Sequence, residues 1–100
     1  MSYIEFLADA IQKLHGCAAS YVETVPVTER FQDQIAWQGK VEVFQLAGHP
    51  KAGFCYAWGF EDDSEEMKAV TVLALPPVDT ALKAVQVFIA STVKGNHAEN

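Results

Sequence analysis

His49 and Cys55, six residues apart, have side chains suited to nucleophilic chemistry near neutral pH. A cysteine becomes a nucleophile when a nearby base takes its proton, and an imidazole titrating near ~6.5 is the usual base. The neighbours of Cys55 argue against this pairing. A reactive thiolate needs a polar, electropositive setting, whereas Cys55 stands between Phe54 and Tyr56 in a strand-like run and reads as a small core residue. The ordinary role for His49, in Gly48-His49-Pro50, is a turn histidine whose imidazole bonds a nearby carbonyl. His15 stands where a helix should end, suited to interact as a cation with the helix dipole, and His97 falls in the C-terminal segment. Glu23, Glu29 and Glu42 lie in or beside strands. A strand glutamate facing a cavity would make a general base; facing water, it would pair across the sheet with Lys40 or Arg30. Trp37, Tyr56 and Trp58 combine large apolar area with a polar edge, as ligand pockets, interfaces and small cores all require.

These residues must be positioned by a few elements. Ser2 with Glu5 matches a capping box, Ile4, Leu7, Ile11 and Leu14 repeat at helical spacing, and Gly16 suits a left-handed stop, which predicts a helix over about 3–15. β-Branched and aromatic residues from Ala18 to Phe31 predict a first strand, placed at an edge or bulged because Pro26 cannot donate a ladder hydrogen bond, with a turn over Thr28–Gln34. The second strand is Ile35–Leu46, with Val41 and Val43 on one face and Phe44 and Leu46 on the other. After a Gly48–Gly53 loop comes the third, Phe54–Phe60, bulky on one side (Phe54, Tyr56, Trp58, Phe60) and flat on the other (Cys55, Ala57, Gly59). The fourth, Lys68–Leu75, is nearly all apolar, which signals burial on both faces. A second helix starts at an Asp79 or Thr80 cap and closes at Lys94-Gly95, leaving residues 96–100 as a polar tail.

This order predicts a single α+β domain over residues 1–95, an antiparallel four-stranded meander with both helices on one face. Two helices on one face leave the other apolar face uncovered. A second copy, a curled sheet or a ligand would then have to cover it, and a homodimer is the expectation.

A chain of 100 residues, half of them apolar, can bury one core. Its net charge of −6, with only seven Lys and Arg scattered along it, argues against nucleic-acid and anionic-membrane partners. Without a basic leader or an apolar run long enough to span a bilayer, the expectation is a cytoplasmic protein with reduced cysteines. The acidic run Glu61–Glu66 lacks the alternating ligands and the glycine of a calcium loop and reads as a solvated turn. Hydrolase, P-loop, dinucleotide and zinc motifs are missing, so no cofactor or metal is expected.

His15-Gly16-Cys17, Val25-Pro26-Val27, Trp37-Gln38-Gly39, Val41-Glu42-Val43-Phe44, Gly48-His49-Pro50-Lys51-Ala52, Cys55-Tyr56-Ala57-Trp58 and Leu75-Pro76-Pro77-Val78 together resemble short uncharacterised bacterial proteins, some carried on integron gene cassettes. The resemblance implies a bacterial, cytoplasmic, stand-alone domain and brings no catalytic residues with it.

The leading expectation is thus a non-enzymatic homodimer that binds a partner or a small apolar ligand through its aromatic sheet region. Trp37, His49, Cys55, Tyr56 and Trp58 are its ligand or interface candidates. The alternatives are a small cavity-type enzyme with His49 or a strand glutamate as general base, and a purely structural subunit. A cavity beside Trp37, Tyr56 and Trp58 with His49 or a glutamate in its wall is the feature that separates them.

Overall fold

The structure, a computed structural model, describes residues 2–61 and 63–98, the last seven of these by backbone alone. Helix α1 spans Tyr3–His15. Its cap is the one its first residues require: the Glu5 N–H donates to the Ser2 hydroxyl at 3.1 Å. Gly16 ends it at φ 70°, donating its N–H to the Gln12 carbonyl at 2.8 Å. Leu7 and Ile11 are fully buried, while Leu14, one turn further along the same stripe, has passed the sheet and is exposed.

Strands β1 (Ala18–Phe31), β2 (Gln34–Ala47), β3 (Phe54–Glu61) and β4 (Met67–Leu73) form an antiparallel meander in that order. Pro26 lies on edge strand β1, opposite Lys40. The β1–β2 turn is tighter than expected. Gln32 and Asp33 alone make it, both at positive φ (53° and 63°), the conformation that matches the right-handed twist of the flanking strands. Thr80 caps helix α2 (Ala81–Ala98), its hydroxyl accepting the Lys83 N–H at 3.2 Å. The helix runs on through Gly95, where the sequence predicts a stop. A glycine inside a helix costs about 1 kcal/mol against alanine and does not by itself end it. Glu99 and Asn100 lie outside the described residues.

The α+β class and the meander are as expected, but the helices do not share a face. Leu7 and Ile11 of α1 pack with Phe44, Leu46, Cys55 and Ala57, whereas Ala84 and Val85 of α2 pack with Val41, Val43, Tyr56 and Trp58. Successive strand residues point to opposite sides, so the two helices cover opposite faces and the molecule has three layers. The cause is the one that first implied a missing cover: β2 and β4 are apolar on both sides. One helix per face meets that need within a single chain, and the uncovered face invoked for a second copy does not exist.

The flat side of β3 finds its partner the same way. Cys55 and Ala57, both fully buried, lie under Leu7 and Ile11, and the Tyr3 ring lies over Gly59, where an added Cβ would come within 2.9 Å of Tyr3 Cε1. These small residues admit α1, not another subunit.

The hairpins do not pair along their whole length. The β2–β3 ladder runs from Gln45–Phe54 to Glu42–Ala57, with the Leu46 N–H donating to the Gly53 carbonyl at its loop end, while β1–β2 pairing continues to Phe31–Gln34 and β3–β4 pairing to Glu61–Met67. Beyond Glu42 the sheet divides.

Candidate ligand site between the two hairpins

The division of the sheet opens a cleft of ≈ 710 Å³, within the size range of small-molecule sites. β2 contributes Trp37, Gly39 and Glu42, β3 contributes Trp58 and Phe60, α1 contributes Tyr3 and α2 contributes Phe88. Trp37 can lie along its strand because Gly39 has no side chain: a Cβ there would meet the indole at 3.0 Å. The Trp37 and Trp58 rings meet edge to face at 5.4 Å, and Trp58 meets Phe88 in the same manner at 5.5 Å. These three rings form a continuous aromatic wall from β2 across β3 to α2.

Gln38, Lys40 and Glu42 are the charged or amide side chains of this cleft, and of these Glu42 alone is buried. The residue is only 5% exposed, a rare state for a carboxylate without a cationic partner among the described residues. The Thr24 hydroxyl donates to one of its oxygens. A hydroxyl has a single proton to give, so Tyr21, whose phenol lies 2.6 Å from Thr24 Oγ1, donates in turn to Thr24. The relay runs from Tyr21 through Thr24 to Glu42. No ion pair to Glu42 occurs among the described residues. Lys40, exposed at the rim, is the cation nearest to it among the cleft residues in sequence.

Trp37 and Trp58 are thus together in the cleft, while the other expected candidates lie elsewhere. Tyr56, on the α2 face, borders a separate depression of ≈ 440 Å³ with Glu23, Asp79 and Thr80. Burial, reinforced by the charges of Asp79 and Glu23, raises its phenol pKa above the ordinary value. Cys55 is sealed beneath α1, and desolvation pushes its thiol up to about 12, which removes thiolate chemistry at neutral pH. Both cysteines are free and buried.

His49 is a turn histidine with the opposite polarity to the one expected. Its Nδ1 accepts the N–H groups of Lys51 (3.1 Å) and Ala52 (2.9 Å), so it fixes the loop that buries Ala52 and bonds no carbonyl there. His15, in the last turn of α1, has its Nε2 2.8 Å from Thr71 Oγ1, and burial, with the nearby His49 adding to it, lowers its pKa. Among the described residues no cluster of three or more His, Cys, Asp or Glu could hold a metal ion, and no helix is long and apolar enough to cross a membrane.

Glu42 stood among three strand glutamates with nothing to single it out. Its burial follows from being the last β2 residue paired to β3, which residue type does not encode. Tyr3, Thr24, Phe60 and Phe88 were not expected at the site. A readable signal existed in Trp37-Gln38-Gly39 and Trp58-Gly59, where a glycine inside a strand beside a tryptophan marks close approach. No family model matches the chain, and no curated protein or solved structure matches it either.

Proposed function

We propose that the protein is a small-molecule binding domain whose site is the cleft between the two hairpins. One observation carries this reading: the β2–β3 ladder stops at Glu42–Ala57, and the gap beyond it is walled by Trp37, Trp58 and Phe88. A ligand with an apolar body gains by burying its surface against those rings. Both tryptophans line the cleft, so intrinsic fluorescence reads occupancy directly. A screen of small aromatic and aliphatic compounds should yield binders that change tryptophan emission and raise the melting temperature together. Stabilising compounds that leave the emission unchanged would place the ligand elsewhere and overturn the reading.

Self-association belongs to the same proposal, on a different surface. β1 guards its edge with Pro26 and with irregular pairing beside Tyr21 and Glu29, whereas the outer edge of β4, Lys-Ala-Val-Thr-Val-Leu, has neither device and no strand pairs with it among the described residues. Two copies joined there in antiparallel fashion form a two-fold dimer. Light scattering that finds a monomer across the micromolar range would exclude it. The resemblance to bacterial cassette proteins adds a bacterial, cytoplasmic setting to the proposal.

A further inference from the structure

We infer that the ligand of the cleft is an organic cation, with Glu42 as its counter-ion. This rests on the cleft being a ligand site and goes on to assign the charge of what enters it.

The three charge classes have different consequences at this site. A neutral ligand filling the cleft would strip the remaining water from Glu42 and leave a desolvated carboxylate with one hydroxyl donor, Thr24, an unfavourable exchange. An anion would meet Glu42 at short range on a chain of net charge −6. A cation supplies the missing partner. The lining favours the same choice: Tyr3 of α1 stands on the side of the sheet to which Glu42 points, and the negative face of a phenol ring attracts a cation, while Trp37, Trp58 and Phe88 give apolar surface across the gap. Lys40 is the one opposing charge in the lining. It is exposed at the rim, where water and salt screen it, whereas the Glu42 carboxylate acts from a buried position. The lining offers a single carboxylate and mostly carbon surface, which suits an alkylated ammonium better than a metal ion needing several oxygen ligands.

Benzyltrimethylammonium and its neutral isostere neopentylbenzene differ only in the charge at one atom, and phenylacetate supplies the anionic arm. Titrations of the full chain followed by tryptophan fluorescence should show benzyltrimethylammonium binding about tenfold more tightly than neopentylbenzene, with phenylacetate weakest. In Glu42→Gln, which keeps the Thr24 hydrogen bond, that preference should collapse while neopentylbenzene binds as well or better. Equal or tighter binding of the neutral compound to the unaltered protein overturns the assignment of charge and leaves the cleft a ligand site. Tightest binding by phenylacetate also overturns it and transfers the role of counter-ion to Lys40. If none of the three changes the emission, the binding reading falls, and this inference falls with it.

Discussion

Gly59 donates its N–H to the phenol oxygen of Tyr3 at 2.8 Å, across 56 positions of chain. This bond ties the first turn of α1 to β3 at the point where β3 has parted from β2, and it fixes one wall of the cleft. Gly59→Ala places a Cβ 2.9 Å from both Tyr3 Cε1 and Met67 Sδ. Both are outer atoms of partly exposed side chains that can yield, so the expected cost is modest, about 1 kcal/mol in urea unfolding. Tyr3→Phe should lose a similar amount by removing the acceptor. A double variant no worse than either single one would show that both act through the same contact.

The Tyr21–Thr24–Glu42 relay makes opposite predictions for its two ends. Thr24→Val keeps the shape but withdraws the only described donor to a buried carboxylate, and should destabilise by about 1–3 kcal/mol. Glu42→Gln removes the buried charge and keeps an acceptor for Thr24, so it should be neutral or gain about 1 kcal/mol. Equal losses in the two variants would show that Glu42 is already compensated, contrary to its role as an unpaired anion.

His15 makes folding stability depend on pH. Its pKa is lowered in the folded chain, first by burial and then by His49, from an ordinary value of 6.5. The unfolded chain therefore binds more protons in this region, and stability rises with pH. The contribution is complete above pH 6.5 and is lost as the pH falls below it. Urea midpoints measured from neutral pH into the acid range should decline less steeply in His15→Gln. An unchanged slope would assign the dependence to other groups.

Cys55 should be inert in the folded protein. With its thiol fully buried and its pKa near 12, reaction with a disulfide reagent at pH 8 should proceed only at the rate of unfolding. Cys17, 6% exposed, should follow the same course. Rapid modification of Cys55 without loss of helical circular dichroism would contradict the packing of α1 over β3.

Local chemistry made several of these elements readable in advance. Ser2, Glu5 and Gly16 mark both ends of α1, and Pro26 marks an edge, because each acts through its own backbone neighbours. The Gln32-Asp33 turn carries neither the glycine nor the asparagine usual at positive φ, so the sequence placed it over a broader span. Which face each helix would take was not legible: β2 and β4 show that both faces need cover, and no single residue says by what. The cleft was hidden for a related reason. How far two hairpins stay paired depends on strand twist and bulges acting over many residues, as at Tyr21–Glu23 in β1.

The last rung joining the hairpins also holds the buried carboxylate. If one further pair were to zip, Val41 against Trp58, the cleft would shorten by one residue of strand, about 3.4 Å, and Glu42 would pass from its end into continuous sheet. Unzipping one pair would lengthen it by the same step and leave Val43–Tyr56 as the last rung. The length of the cleft therefore changes in steps of one residue pair, by how far the hairpins stay paired, with no residue of the aromatic wall replaced.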